Sequence, residues 1–143
     1  MSKADDTGER ATTRPVELED WLNLRIYHPL SLRLARALSS TPVTPNAVSV
    51  AGGLTVAFAA AIYGSTTGAL GALAAMLVHM AWHVVDGADG DLARMTGRVS
   101  PVGEIVDGLC DYLGHLVLYI VLASILAQDL GALGWVLMGK KEH

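Results

Sequence analysis

Four aspartates stand in strongly apolar surroundings near the middle of this chain. Asp86 and Asp89 are three residues apart, and Asp107 and Asp111 are four apart, so each pair shares one face of a helix. A carboxylate deep in a membrane helix costs roughly 2.5–3.5 kcal/mol on insertion scales. Divalent cations would offset that cost, and clusters rich in oxygen and poor in histidine suit hard ions such as Mg²⁺ or Mn²⁺. Two such ions, about 4 Å apart, could hold a pyrophosphate.

Small residues and an arginine accompany the aspartates. Gly87, Gly90 and Gly103 remove side chains around the cluster, although a glycine in a helix costs roughly 1 kcal/mol relative to alanine. Either the close approach of a bulky ligand or tight helix packing would justify this cost. Ala93 keeps a further position small, and Arg94 lies one turn beyond Gly90, where it could contact a phosphate.

The composition places these residues in an all-α integral membrane protein. Hydrophobic residues make up 52% of the 143 positions, and only 17% are charged. From Ala37 to Val85 there is no Asp, Glu, Lys or Arg, so a water-soluble domain is excluded for this stretch. Residues 1–20 are too polar for a signal peptide. A single cysteine, Cys110, excludes an internal disulfide.

Helix-breaking residues divide the apolar region into three spans and part of a fourth. Thr44 and Ser100 can each cap a helix, and a proline follows each of them in the first helical turn. Complete spans are predicted over residues 46–63, 69–94 and 101–127, near the roughly 20 residues that a bilayer core requires. Turns are predicted at residues 64–68, 96–99 and 128–129. The final run, residues 130–138, predicts half of a fourth span.

The amino-terminal region divides into two predicted segments. Residues 1–16 are polar and predicted to be disordered, and residues 17–40 are predicted to form an interfacial amphipathic helix that bends or breaks at Pro29. Arg25, Arg33 and Arg36 suit lipid headgroups. Residues 41–143 are predicted to form the transmembrane domain. All ten lysines and arginines lie in the first 36 residues, at 94–98 or in the carboxyl tail, which predicts a cytoplasmic location for the aspartates.

The order of the special residues resembles a known signature. It reads Asp86-x2-Asp89-Gly90-x2-Ala93-Arg94-x8-Gly103-x3-Asp107-x3-Asp111. This resembles the signature of the CDP-alcohol phosphatidyltransferase family, and every fixed position is filled. Thr44-Pro45-Asn46 is similar to the start of the first span in that family, so the resemblance extends more loosely over residues 17–127.

The resemblance implies an activity and a set of residue roles. Such enzymes transfer a phosphatidyl or phospho-alcohol group from a CDP-linked donor to a hydroxyl acceptor and release CMP, and they work as homodimers among membrane lipids in phospholipid biosynthesis. The metal ligands would be Asp86, Asp89, Asp107 and Asp111, holding two Mg²⁺ or Mn²⁺ ions, with Asp111 also the general base. The substrate-binding residues would be Asn46, Gly90, Ala93, Arg94, Ser100 and Gly103.

Other interpretations stay open at this point. The family has six spans, so the chain is expected to be truncated or one part of a larger assembly, and to turn over poorly or not at all alone. A cation transporter could also bury aspartates, but it would not need the Gly90–Ala93–Arg94 group. The acceptor alcohol is open, although residues 100–111 look somewhat like the aminoalcohol phosphotransferase branch.

Three histidines and a tryptophan lie near the aspartates on the predicted spans. His79 and His83 are four residues apart, a spacing that could serve a metal, although packed histidines are the commoner use of such a pair. His115 is one turn after Asp111 and could orient that carboxylate. Trp82 is predicted to be a packing residue or an interface anchor.

Overall fold

The computed structural model describes residues 21–139 of the chain, with side chains described through Ala132. Within this range the fold is helical and contains no strand, which confirms the predicted all-α class. The helices are α1 (His28–Ser39), α2 (Pro45–Ser65), α3 (Ala69–Thr96) and α4 (Pro101–Gly139). Three segments are long and apolar enough to cross a membrane, namely Pro45–Ser65, Ala69–Thr96 and Pro101–Ala132.

The helix ends follow the predicted local chemistry. The Thr44 hydroxyl accepts a hydrogen bond from the Ala47 N–H at 3.2 Å, and α2 begins at the next residue. The Ser100 hydroxyl accepts from the Gly103 N–H at 3.0 Å where α4 begins. Gly97 ends α3 with φ +66°, a left-handed conformation that glycine adopts without steric cost. The loop between α3 and α4 is therefore short, and the two aspartate pairs lie at the same end of the bundle.

The predicted turn at residues 128–129 is wrong, and with it the half span at 130–138. The backbone of α4 continues through both to Gly139. Neither Gln128 nor Asp129 breaks a helix, and no proline follows Pro101 in the sequence. Gly131 costs only roughly 1 kcal/mol in a helix interior, which the surrounding strong helix formers offset.

The amino-terminal helix was predicted to bend or break at Pro29, and it does not break there. A π-helical turn, Asn23–Tyr27, runs directly into α1, and the His28 N–H donates to the Asn23 carbonyl. Pro29 stands in the first turn of α1, where its missing N–H is tolerated. The irregularity is thus a π turn before the proline. The segment predicted to be disordered, and the first residues of the predicted interfacial helix, lie outside the described residues.

A close contact joins α1 to α3. Ser31 of α1 is buried, and its hydroxyl lies 3.0 Å from the Val84 carbonyl of α3. A Cβ on Gly87 would lie 2.6 Å from that hydroxyl oxygen, so Gly87 serves helix packing. Apolar side chains from α1, α2 and α3 complete this contact, namely Ala35, Val48, Ala88 and Leu92.

The helices α2 and α4 cross in backbone contact at two glycines. A Cβ on Gly53 would lie 2.8 Å from the Cys110 carbonyl oxygen, and a Cβ on Gly114 would lie 2.9 Å from the Gly53 carbonyl oxygen. Val56, Ala60 and Leu118 pack beside this crossing. The backbone of α2 thus lies close to both α3 and α4, whereas α3 and α4 approach each other less closely.

Candidate active site

Three of the four signature aspartates converge between α3 and α4. Asp86, Asp107 and Asp111 each offer one carboxylate oxygen, and these three oxygens lie within 4.8 Å of one another. All three residues are half-buried. Because the backbones of α3 and α4 lie apart here, the side chains reach into the space from both helices. Three convergent carboxylate oxygens are a donor set that suits a hard divalent cation.

Asp89 lies to one side of this group, beside α2. Its side chain is buried, with 6% of the residue exposed, and the Ser49 hydroxyl donates to its Oδ2 at 2.5 Å. Asp89 and Asp107 line the same cavity, so Asp107 connects Asp89 with the other two carboxylates. Sequence reasoning missed Ser49, since a serine within an apolar helix usually bonds its own backbone, as Ser49 also does with the Pro45 carbonyl.

Trp82 contacts the carboxylate of Asp111 directly. Its indole Nε1–H donates to Asp111 Oδ1 at 2.9 Å, from α3 to α4. The sequence predicted a packing residue, and the ring does pack beside the Val56 cluster, but its polar edge has a specific partner. The only signal for this role is that Trp82 lies one helical turn before Asp86, on the same face of α3.

All six residues predicted to bind substrate line one cavity of about 230 Å³. They come from three helices and a loop, and the cavity also reaches Asp89 and Asp107. These six residues are Asn46, Gly90, Ala93, Arg94, Ser100 and Gly103. Lining residues that the sequence analysis did not predict are Pro45, Ser49, Arg98, Val99 and Glu104.

Groups of both charges line the cavity. The first turns of α2 and α4 form part of its wall through Asn46 and Gly103, and helix N-termini favour anions such as phosphate. Arg94 and Arg98 add two positive charges to the lining. Asp89, Glu104 and Asp107 add carboxylates to it. This arrangement suits an anionic group that binds together with a cation.

Arg94 is held by two neighbours on its own helix. It forms an ion pair with Asp91, whose side chain is buried. A Cβ on Gly90 would lie 3.4 Å from the Arg94 Nη1, an ordinary van der Waals distance, so the guanidinium lies directly beside Gly90. Asp91 lies outside the signature, and its position three residues before Arg94 was the only sequence signal for this pair.

The histidines form a separate group deeper along α3 and α4. His79 Nε2 lies 3.3 Å from His115 Nε2, and His115 Nδ1 lies 2.9 Å from the backbone carbonyl of Asp111. His115 therefore contacts the main chain of Asp111. His83 stacks on Tyr27 with ring centroids 4.7 Å apart. Among the described residues, the side chains grouped closely enough to hold a metal are the three aspartates.

Comparison with known proteins identifies the family. The family model described as CDP-alcohol phosphatidyltransferase matches residues 42–139, which is well over half of the chain and includes α2, α3 and α4. A search of curated proteins finds no match to this chain. The family comprises transferases of phospholipid synthesis that use divalent metals. The chain therefore belongs to the CDP-alcohol phosphatidyltransferase family.

Proposed function

We propose that this chain transfers a phosphatidyl or phospho-alcohol group from a CDP-linked donor to a hydroxyl acceptor and releases CMP. One observation carries the proposal: the six predicted substrate-binding residues share a cavity that reaches Asp89 and Asp107. Asp107 also belongs to the carboxylate group with Asp86 and Asp111. A nucleotide in the cavity would therefore have its phosphates beside the carboxylates.

The cavity walls would bind the donor through its charge and its shape. Its diphosphate would interact with Arg94 and Arg98 and with the amino-terminal ends of α2 and α4. Gly90 and Ala93 have little or no side chain, so they would leave room for the cytidine nucleotide. The Asn46 amide could form hydrogen bonds with the nucleotide. These contacts would hold the reacting phosphorus in place, and such positioning supplies much of the catalysis in phosphoryl transfer.

The four aspartates are the residues that would hold Mg²⁺ or Mn²⁺, and we propose two ions. The three convergent oxygens of Asp86, Asp107 and Asp111 fit a hard cation. Asp89, oriented by Ser49, would add a further oxygen from the cavity side. When bound, the ions would supply stabilisation of negative charge on the phosphate oxygens.

Asp111 would act as the general base. One carboxylate oxygen is engaged by Trp82, so the other would accept the proton of the acceptor hydroxyl. The bond between the acceptor oxygen and the phosphorus then forms, and the bond between that phosphorus and the CMP oxygen breaks. The proton ends on Asp111, and CMP leaves with the electron pair of the broken bond. A positioned base of this kind typically contributes about 10²–10⁴ in rate.

Release of CMP by the purified chain tests the proposal. In detergent micelles with Mg²⁺, the chain is offered CDP-diacylglycerol or a CDP-aminoalcohol, each with its class of acceptor. We expect CMP release that is slow, in line with the poor turnover expected from the sequence, and that EDTA abolishes and added Mg²⁺ restores. Asp111→Asn should lower the rate by about 10²–10⁴, whereas Asp129→Asn, which changes an exposed aspartate farther along α4, should leave it unchanged.

Two results would contradict the proposal. Metal-dependent binding of the CDP-linked donor without CMP release would indicate a non-catalytic membrane protein of this family. Uptake of Mn²⁺ into proteoliposomes, without any effect of CDP-linked donors, would indicate a cation transporter.

A further inference from the structure

We propose that Trp82 is a positioning residue, whose indole N–H sets the orientation of the Asp111 carboxylate for proton transfer and metal binding. This inference deepens the proposed transfer reaction and rests on it. The key contact is the 2.9 Å hydrogen bond from Trp82 Nε1 to Asp111 Oδ1. Trp82 lies outside the signature, so its contribution would be specific to the way this chain builds its site.

The backbone arrangement leaves Asp111 in need of such a partner. Because α3 and α4 lie apart at this level, contact between them depends on long side chains that reach across. Trp82 reaches from α3 to Asp111, and His79 reaches from α3 to His115. A carboxylate in this space without a fixed donor could rotate about its side-chain bonds and turn away from Asp86 and Asp107.

The indole can take only the donor role in a hydrogen bond. Its N–H can only donate, it has no acceptor, and it does not ionise in the ordinary pH range. Asp111 Oδ1 must therefore be the acceptor of this bond. Oδ2 does not accept the indole hydrogen bond, so it is the oxygen that would face a hydroxyl or a metal ion. An amide or an imidazole could reverse its hydrogen-bonding role, whereas the indole cannot.

The ring itself is held on several sides. A Cβ on Gly52 of α2 would lie 3.6 Å from the Trp82 Cδ1, so the indole lies directly against that helix. Its ring meets the His115 ring edge-on, with centroids 4.5 Å apart, and the His83 ring lies at the same distance. A donor whose ring is fixed by packing can orient a reacting group without reorganising during the reaction.

A pure packing role is the alternative, and two variants separate it from positioning. Trp82→Phe removes the N–H and part of the ring. Replacement of Trp82 by β-(3-benzothienyl)alanine, in which sulfur takes the place of the N–H, keeps the size and shape of the ring and removes only the donor. The matched control is Trp21→Phe, which changes a tryptophan that is 66% exposed and distant in sequence from the site.

The experiment measures Mn²⁺ binding by electron paramagnetic resonance, alongside kcat and KM for CMP release. Loss of an outer partner of a metal ligand typically costs 10- to 100-fold in affinity or activity. We expect about that loss in Mn²⁺ affinity and in kcat for both Trp82 variants. KM for the CDP-linked donor should stay within about twofold, because Trp82 does not line the nucleotide cavity. Trp21→Phe should change neither quantity.

The outcomes separate this inference from the proposed function. If the chain binds Mn²⁺ and releases CMP, and the benzothienyl variant behaves like the unmodified chain, the positioning role is wrong whatever Trp82→Phe does. If the unmodified chain neither binds Mn²⁺ nor releases CMP, the proposed function is wrong and the inference is overturned with it. Equal losses in the two Trp82 variants, with an unchanged KM, would support the inference.

Discussion

The charged residues at this site have different partners, although the sequence presents them as one set. Asp89 is oriented from α2 by Ser49, Asp111 from α3 by Trp82, and Arg94 by Asp91 on its own helix. Ser49, Trp82 and Asp91 all stand outside the signature. The proposed chemistry of the site would therefore depend on side chains outside the signature as well as on the signature residues.

The Ser49 hydroxyl should be needed to hold Asp89 in place. Ser49→Ala leaves a carboxylate that is only 6% exposed without this hydrogen bond. We expect the affinity for Mn²⁺ to fall about 10- to 100-fold, because a partner of a ligand has been lost. Ser65→Ala is the control, since that hydroxyl is on the same helix and bonds only carbonyls of its own helix. An unchanged titration curve for Ser49→Ala would refute the role.

The ion pair between Asp91 and Arg94 should matter for substrate binding more than for turnover. Asp91→Asn removes the charge that restrains the guanidinium at the cavity wall. We expect KM for the CDP-linked donor to rise about fivefold with kcat nearly unchanged, the pattern of lost uniform binding. Steady-state kinetics measures both parameters, with Asp129→Asn as the matched control. A fall in kcat at constant KM would contradict this interpretation.

At the scale of the elements, the glycines of this chain have separate roles. Gly87 gives way to Ser31 of α1 and Gly114 gives way to the backbone of α2, whereas Gly90 lines the cavity beside Arg94. The sequence indicated that small residues were required here, and it left helix packing and ligand access open. Only the packing of the helices distinguishes these roles, because the residues that contact Gly87 and Gly114 are distant from them in sequence.

Alanine at Gly114 should destabilise the bundle. Its Cβ would lie 2.9 Å from the Gly53 carbonyl oxygen, and backbone atoms cannot move aside as a flexible side chain could. Overpacking of this kind typically costs about 1–3 kcal/mol. Unfolding by sodium dodecyl sulfate in mixed micelles, followed by circular dichroism, measures the change. Gly131→Ala, on the same helix with open space around its Cβ, should be neutral or slightly stabilising.

The helix starts and the carboxylate group could be predicted from the sequence, and several features could not. Thr44 and Ser100 act within three residues of their partners, so local pattern was sufficient. The turn predicted at residues 128–129 was wrong, because Gln128 and Asp129 do not end a helix inside a long apolar run. Ser49 was missed and Trp82 was predicted only as a packing residue or interface anchor, because their contacts with the aspartates depend on how α2 and α3 are rotated.

On the scale of the whole molecule, large apolar side chains remain exposed along the spanning helices. Leu54 and Phe58 on α2, Leu77 on α3 and Ile120 on α4 are each more than half exposed. Surface of this kind is stable in lipid and would aggregate in water. Among the described residues the buried hydrophobic core is small and consists of alanine, valine and leucine, with alanine the commonest, as expected where helices pack closely in a bilayer.

The distribution of positive charge leads to a prediction of membrane orientation. We expect the loop after α3, which carries Arg98, to face the cytoplasm and the loop after α2 to face the opposite side. In a Cys110→Ser background, Val99→Cys should react with a membrane-impermeant maleimide only after permeabilisation of cells. Thr67→Cys should react in intact cells. The reverse labelling pattern would overturn this orientation.

The crossing of α2 and α4 has a mechanical consequence for the proposed base. The backbone of α4 lies against that of α2 at Cys110 and Gly114, and Asp111 lies between them in sequence. If the tilt of α4 relative to α2 changes, α4 pivots about these contacts. At about 1.5 Å of rise per residue, Asp111 lies roughly 1.5 Å along the axis from Cys110, and Gly139 lies roughly 44 Å away. A tilt of this kind therefore moves the far end of α4 by many times the displacement of Asp111. The helix can adjust to the membrane while the proposed general base keeps its position in the site.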